Sequence, residues 1–327
     1  MGIIHNITAL GLLAMGAFAP AQAATVTYTT FRGADLSLEA WEGAHVTVLT
    51  QSAARDPGVM SQVVGQLDAA WGLYRDLTGQ APVAWAPYTL NGRATIAEVA
   101  DTCGAGCAFL GLNGIEIMPT YMDLLYDGVR DAGQFDQVLF YELGRNFWFY
   151  GGKLGAAPPM ATGFAVANRF VSMEETGAQG APFNGTEPFD AFKQFVTVDQ
   201  MAAYQADESL NWESAIGAGL GIPGRRYGDG ASLAGAMLYQ IYADHGYDAY
   251  RDFYTNLTLL PDARDPAQAA HNLMRAAYVA TGQNYATAFK AQAYAAAVPL
   301  PGALGGVVLA VASLIGVSVR RRSRGRA

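Results

Sequence analysis

Residues 137–148, QVLFYELGRNFW, form the stretch on which the fold assignment of this chain depends. Its many apolar residues predict a helix over about residues 134–150, ended by Gly151 and Gly152. On such a helix Tyr141 and Arg145 share one face, four residues apart, and Glu142 lies three residues from Arg145. The stretch therefore predicts a phenol, a carboxylate and a guanidinium close together on one helix.

The same stretch has the frame of a zinc-binding helix in which both histidine positions are replaced. In the motif H-E-x-x-H, two histidines four residues apart bind the metal, and the glutamate activates the attacking water. The corresponding residues here are Tyr141, Glu142 and Arg145. A phenol must lose a proton with a pKa near ~10 before it binds zinc, and a guanidinium cation is no ligand. The glutamate alone is retained from the motif.

The histidine content leads to the same conclusion. Of the four histidines, His5 lies in the N-terminal leader, and His45, His245 and His271 include no pair at the helical spacing of four residues. A zinc site would have to be assembled from scattered histidines and carboxylates. We therefore expect no zinc cofactor.

Residues 1–23 are predicted to be a signal peptide. An apolar stretch over residues 9–19 leads into Ala21-Gln22-Ala23, a typical cleavage signature. The expected first residue of the mature chain is the next one, Ala24. The segment before the apolar stretch has no Lys or Arg, which departs from the usual leader pattern.

Residues 297–327 are predicted to be a sorting and membrane-anchoring tail. Its first part is the motif Val298-Pro299-Leu300-Pro301. An uncharged run over residues 302–319 follows, long enough to cross a bilayer, and five arginines come after it. The run and the arginines by themselves indicate a C-terminal membrane anchor.

The three parts of this tail resemble the sorting signals of bacterial exosortase substrates, in which a proline-containing motif, an apolar helix and a basic end are read together. The motif is similar to the class called VPLPA-CTERM, with Gly302 in place of the usual alanine. The resemblance implies export, an inner-membrane-anchored precursor, and removal of the tail by an exosortase-type enzyme. The implied partners are the export machinery, that enzyme and the membrane, and the implied location is the cell surface or the exterior.

Loss of the leader and the tail would leave a strongly acidic chain. Removing the five tail arginines from 20 basic residues leaves 15 against 28 acidic residues, a net charge of about −13. Such a surface argues against a nucleic-acid partner and favours solubility outside the cell. It leaves the ligand or substrate undefined.

The two cysteines form the motif Cys103-Gly-Ala-Gly-Cys107. In an exported chain this motif predicts a disulfide across a tight loop, because the compartment is oxidising and small residues allow the turn. A redox pair more often has the spacing C-x-x-C, and a metal site would need further ligands.

Between the leader and the tail, the sequence pattern predicts an α+β fold in two parts. Residues 24–133 form a mixed sheet with a backing helix that begins at Asp56-Pro57 and is closed by Gly79. Residues 134–296 form a mostly helical half that carries the helix of residues 134–150. The predicted strands cover residues 25–31, 45–50, 93–99 and 114–118, and the later helices cover 162–175, 189–204, 231–245, 266–281 and 285–297.

The order of these elements and the string Y-E-L-G-R resemble a divergent gluzincin-type zinc metallopeptidase domain over about residues 45–293. The longer string YELGRNFW resembles exported bacterial proteins in which it replaces the zinc motif. The resemblance implies a zincin-like fold and a third metal ligand, a glutamate, from the helix after the motif helix. The implied site comprises Tyr141, Glu142, Arg145 and one of Glu174 and Glu175.

Two kinds of function follow from such a site. If a second-helix glutamate reaches Arg145, the guanidinium replaces the metal, and the chain is a pseudo-metallopeptidase that acts in binding or as a structural component. The alternative is a zinc-independent hydrolase with Glu142 as general base, Tyr141 as proton donor and Arg145 as oxyanion stabiliser, or a peptidase with unconventional metal ligands. A perturbed Glu142 pKa in an open cleft favours the hydrolase, and a buried, bidentate Arg145 pair disfavours it.

Overall fold

The computed structural model describes residues 24–51 and 55–291. The predicted signal peptide and the predicted sorting tail lie outside these residues. Within the described residues, no helix combines the length and the apolar character needed to cross a bilayer.

The N-terminal part is a seven-stranded mixed sheet. Its strands are β1 (Ala24–Thr29), β2 (Asp35–Glu42), β3 (Val46–Thr50), β4 (Thr89–Leu90), β5 (Arg93–Glu98), β6 (Gly106–Ala108) and β7 (Ile115–Ile117). The order across the sheet is β1-β2-β3-β5-β7-β6, with β4 paired to β5. The central strands β3, β5 and β7 are parallel, whereas the edge strand β6 is antiparallel to β7. The short strand β6 therefore forms one border of the sheet.

The described residues form nine α-helices, which pack against the sheet or make up the helical half of the chain. They are α1 (Pro57–Thr78), α2 (Pro119–Ala132), α3 (Val138–Asn146), α4 (Gly151–Leu154), α5 (Pro159–Glu175), α6 (Phe189–Val196), α7 (Val198–Ala206), α8 (Gly230–Thr258) and α9 (Pro266–Thr281). A short 3-10 helix at Ala86–Tyr88 and a π-helical turn at Glu213–Gly217 complete the set.

The backing helix α1 has the predicted boundaries. The Asp56 carboxylate accepts the N–H groups of Gly58 and Val59, and Pro57 needs no N–H partner at the first position. Gly79 ends the helix with φ 72°, a left-handed conformation that suits glycine. The apolar face of α1 is buried against the inner face of β2 and β3.

The main core joins the inner face of the sheet to the helical half. In that half α5 packs against α8, and aromatic side chains such as Phe164 and Tyr254 are fully buried between them. A smaller apolar cluster, which includes Tyr28, Leu49 and Tyr88, covers the opposite face of the sheet. The structure therefore confirms the predicted mixed sheet followed by a mostly helical half.

Some predicted boundaries are wrong. The motif helix α3 is shorter than expected, and Gly151 opens the short helix α4 instead of closing α3. The predicted helix over 189–204 is divided at Thr197, whose backbone departs from helical geometry with ψ −77°. In the predicted helix over 285–297, the described residues up to 291 form turns. Strands β2, β4 and β6 and helices α2 and α4 are absent from the predicted elements.

Candidate functional site

Helix α3 lies between the edge strand β6 on one side and helix α5 on the other. It begins where the Asp136 carboxylate accepts the N–H of Val138, at 2.8 Å. Gly144 allows the close approach to α5, since a Cβ on this residue would lie 3.0 Å from the Cα of Ala165. The position of α3 is therefore set by the Asp136 hydrogen bond at its start and by a small residue where it contacts α5.

The end of α3 is bound to the strands. The Asn146 side-chain amide donates to the carbonyl oxygens of Phe109 and Gly114, at 2.9 and 3.2 Å. The Arg145 Nε donates to the carbonyl of Ala108 in β6, at 3.5 Å. These bonds hold the face that carries Glu142 and Arg145 against the edge of the sheet.

Glu142 is enclosed between α3 and β6. Its side chain is 5% exposed, and its Oε2 atom is buried without a hydrogen-bond partner. A Cβ on Gly106 would lie 2.9 Å from Glu142 Oε1, so only glycine leaves room for this carboxyl group. Burial raises the pKa of Glu142 from 4.5 to about 7, against the opposing effect of Arg145.

The three predicted residues of α3 do lie together. Arg145 Nε is 3.9 Å from Glu142 Oε2, and the Arg145 side chain is 26% exposed. Burial raises the pKa of the half-buried Tyr141, while Arg145 lowers it and Glu142 raises it. The arrangement is a buried carboxyl group beside a partly exposed cation, and the pair is not bidentate.

Glu174 and Glu175 lie away from this group, which corrects the prediction that a second-helix glutamate joins Arg145. Helix α5 runs antiparallel to α3, so its C-terminal glutamates lie beyond the start of α3. Glu174 accepts hydrogen bonds from Lys193 and Tyr239, both at 2.8 Å. Glu175 accepts one from Tyr242, at 2.6 Å. Neither carboxylate contacts the Glu142–Arg145 pair in the described residues.

Arg169 of α5 is a buried cation that the sequence analysis missed. Its Nη1 donates to the Oε1 of Gln137 at 2.6 Å, while its Nε is buried without a partner. Its guanidinium lies over the rings of Phe170 and Tyr141, with the carbon 4.6 and 5.8 Å from the ring centres. Burial lowers the pKa of Arg169 to about 10. A single basic residue within the mostly apolar stretch 164–173 was the signal for it.

Asp136 supplies a buried carboxyl group near Arg169. Burial raises the pKa of Asp136, and the Val138 N–H and the Arg169 guanidinium oppose that rise. A second buried carboxyl group thus lies at the start of α3.

The residues of this region do not fit a zinc ion. Among the described residues, no group of three or more His, Cys, Asp or Glu side chains is arranged to hold a metal. His45 stacks on Trp71 with ring centres 4.3 Å apart, His245 contacts Gln283, and His271 lies beside Arg275. The three histidines therefore occupy separate environments.

The predicted disulfide is confirmed. The sulfur atoms of Cys103 and Cys107 are 2.13 Å apart, and their Cα atoms are 5.4 Å apart. The bridge spans the first residues of β6, next to Gly106. It thereby restrains the strand that covers Glu142.

Comparisons with known proteins give similarity to solved structures only. No family model matches the chain, and no curated protein matches it. The chain is similar to a solved structure of a functionally unknown conserved protein from Bacillus anthracis str. Ames, with a TM-score of 0.49 and 9% sequence identity. The match covers 80% of this chain and 49% of that one, so the chain spans about half the length of that protein.

Proposed function

We propose that this chain is a cell-surface or extracellular protein whose degenerate zincin-like domain acts in binding or as a structural component, and not as a zinc peptidase. The observation that carries the proposal is the enclosure of Glu142, whose side chain is 5% exposed. A general base must come within hydrogen-bond reach of the proton that it removes. Gly106 of β6 packs directly against this carboxyl group, since a Cβ on it would lie 2.9 Å from Glu142 Oε1.

The chemistry of the neighbouring side chains supports a structural role for the site. Arg145 occupies the second histidine position, lies 3.9 Å from Glu142 and donates to the carbonyl of Ala108. It thus offsets the charge of Glu142 and binds the edge strand at the same time. A guanidinium in this place stabilises the contact between α3 and β6, which a working site would need to keep open.

The zincin-like part of the proposal rests on the order of elements. Strand β3, helix α1, strands β5 and β7 and then the motif helix α3 follow one another along the chain. That order is the one expected for a zincin catalytic half, although fold alone does not determine function.

Export and membrane capture are proposed from the predicted signal peptide and the exosortase-type tail. The Cys103–Cys107 disulfide supports this part, because such bonds persist in oxidising compartments. The proposed partners are the export machinery and an exosortase-type enzyme. The acidic composition, with 28 Asp and Glu against 20 Lys and Arg, opposes a nucleic-acid partner.

One observation favours the alternative, a zinc-independent hydrolase. The pKa of Glu142, at about 7, lies in the range that suits a general base at neutral pH. Arg145 leaves Glu142 Oε2 without a hydrogen bond, so the carboxyl group retains an unoccupied acceptor. Opening of β6 away from α3 would be required for substrate to reach it.

Metal content and hydrolytic activity test the proposal together. The protein, without affinity histidines, is purified from zinc-supplemented medium without a chelator and analysed by plasma mass spectrometry. We expect zinc well below one ion per chain and no peptidase or esterase activity that depends on Glu142. Near-stoichiometric zinc that is lost in Glu142→Gln would overturn the proposal, and an activity abolished by Glu142→Gln without zinc would establish the alternative.

Cell fractionation tests the sorting part separately. The full chain is expressed in a host that has an exosortase, beside a variant with Pro299→Ala and Pro301→Ala. We expect the parent chain to lose its tail and leave the membrane fraction, and the variant to remain as a membrane-bound precursor. Equal processing of both chains would remove the sorting proposal and leave the site interpretation untouched.

A further inference from the structure

A cleft of about 350 Å³ lies in the helical half, between the loop that follows α8 and one face of α9. Leu260 and Pro261 line it on the loop side. Gln268, His271 and Arg275 line it from α9, and Arg264 from the residues just before that helix. The cleft is remote in sequence from α3 and belongs to a different pair of elements.

The two arginines of this cleft lack acidic partners. The side chains of Arg264 and Arg275 make neither a hydrogen bond nor an ion pair within the residues that the structure describes. Several other arginines of the described residues are paired with carboxylates, as Arg226 is with Glu187 at 2.5 Å. In a chain with 28 acidic and 20 basic residues, two unpaired guanidinium groups in one cleft are an unusual concentration of positive charge.

The walls of the cleft are held together before any ligand arrives. Asn272 of α9 is 5% exposed. Its side-chain amide donates to the carbonyls of Pro261 and Lys153, at 2.9 and 3.0 Å. These bonds fix the loop of Pro261 to α9, so binding would require little ordering of the backbone.

The one carboxylate of the lining is already neutralised. Asp262 is bound to Lys153, with Nζ and Oδ1 2.8 Å apart, and its side chain is 73% exposed. His271 lies beside Arg275, and burial together with that arginine lowers its pKa, so at neutral pH its ring is uncharged. The remaining charged groups that line the cleft are the cations Arg264 and Arg275.

The two arginines indicate the charge of a ligand. Arg275 lies in α9 and Arg264 precedes that helix, and both line the same cleft. A ligand with more than one anionic group matches such a cleft better than a single monovalent ion, and guanidinium groups bind carboxylate and phosphate alike.

We propose that this cleft binds a small organic polyanion, whose carboxylate or phosphate groups pair with Arg264 and Arg275 and whose carbon frame lies on Leu260 and Pro261. The site is independent of the function proposed for α3, since none of its residues contacts Glu142 or Arg145. It gives an acidic protein a specific place for an acidic ligand.

Titration calorimetry of the full chain at low ionic strength tests the proposal, with pyrophosphate and citrate as probes. Pyrophosphate represents phosphate ligands, and citrate represents carboxylate ligands. We expect saturable binding of at least one probe, and a loss of about five-fold or more in affinity in Arg264→Gln and in Arg275→Gln. The matched control is Arg75→Gln, because Arg75 also lacks an ion pair in the described residues but lies in α1, over Trp71. This control should keep its affinity within about two-fold.

A variant with increased affinity for the probe provides a second test. Asp262→Asn removes the only carboxylate of the lining and releases Lys153, so it should strengthen binding of the same probe. Failure of both probes to bind at millimolar concentration would overturn the proposal, as would an equal loss in Arg75→Gln. Binding to vesicles of anionic lipid without binding to either probe would also overturn it, and would indicate a membrane-facing surface.

Discussion

The Oε2 atom of Glu142 lies 3.9 Å from the Nε atom of Arg145, and no hydrogen bond reaches that oxygen within the described residues. The guanidinium is thus close enough to act on the charge of the carboxyl group but does not satisfy it. The effect of burial on the pKa exceeds that of Arg145, and the pKa of Glu142 is raised to about 7. Stability should therefore depend on whether this group carries a proton.

Glu142→Gln tests the effect of that charge. The folded-state pKa of about 7 lies above the ordinary value of 4.5, so the folded protein binds this proton more tightly than the unfolded chain. The resulting stabilisation is present below about pH 4.5 and is lost as the pH rises through about 7. Glutamine resembles the protonated acid, so we expect little change at pH 5 and a gain of about 1–3 kcal/mol in the free energy of unfolding at pH 8.

Urea unfolding at pH 5, 6, 7 and 8 measures this difference. The matched control is Glu208→Gln, at an exposed glutamate of the helical half. Its difference from the parent chain should not change with pH between 5 and 8. A Glu142→Gln variant that is less stable than the parent at pH 8 would show that the folded state favours the ionised carboxylate, contrary to the raised pKa.

Arg145→Ala should expose the coupling between the two side chains. The substitution removes the nearest cation from a buried carboxyl group and also the bond to the Ala108 carbonyl. We expect a loss of about 1–3 kcal/mol in the free energy of unfolding at pH 8, and a smaller loss when Glu142→Gln is already present. Chemical denaturation of the four chains of this cycle gives the coupling energy. An equal loss in both backgrounds would assign the role of Arg145 to the Ala108 carbonyl alone.

Gly106→Ala should disturb the same contact from the side of the strand. An added Cβ would lie 2.9 Å from Glu142 Oε1 and 3.2 Å from the carbonyl oxygen of Glu116. Overpacking of this kind costs about 1–3 kcal/mol. The control is Gly104→Ala, whose nearest neighbour would be the Gly106 carbonyl at 3.7 Å, an ordinary contact. Thermal melts should show a large drop for the first variant and a small change for the second. Similar melts would mean that α3 and β6 separate easily.

Local sequence signals predicted those elements whose ends are defined locally. Helix α1 has its aspartate cap, its proline and its left-handed glycine within its own sequence, and α9 repeats all three at Asp265, Pro266 and Gly282. The length of α3 could not be predicted in this way. The apolar residues Trp148 and Tyr150 continue beyond its end because they are buried in the core, whereas the backbone leaves the helix at Phe147.

Only the part of the candidate site that lies on helix α3 could be predicted from the sequence. Helical spacing places Tyr141, Glu142 and Arg145 together, and the structure does so. The partner helix needed tertiary information. Because α5 is antiparallel to α3, with Ala165 near Gly144 and Arg169 near Gln137, the side chain that reaches α3 is an arginine and not the expected glutamate.

The pair of Arg169 and Gln137 gives the last prediction. Arg169 is 8% exposed and Gln137 5% exposed, and the bond between them is 2.6 Å long. Gln137→Leu would leave a buried guanidinium without this acceptor, so we expect a loss of about 2–4 kcal/mol in the free energy of unfolding. Replacing both residues, with Arg169→Met added to Gln137→Leu, should recover part of that loss, since an apolar pair needs no acceptor.

Gln200→Leu is the matched control for this experiment. Gln200 accepts from Arg225 at 3.0 Å in the same manner, and its Nε2 also donates to the carbonyl of Arg226 at 2.9 Å. Arg225 keeps a second acceptor, the carbonyl of Asp199 at 3.0 Å. Its guanidinium is also less enclosed than that of Arg169. Denaturation with guanidinium chloride at pH 7 should therefore show a smaller loss in the free energy of unfolding for Gln200→Leu than for Gln137→Leu. Two results would contradict this prediction: a loss of stability in Gln137→Leu no larger than in Gln200→Leu, or no recovery of stability when Arg169→Met is added. Either result would show that the buried charge of Arg169 does not determine the stability of the contact between α3 and α5.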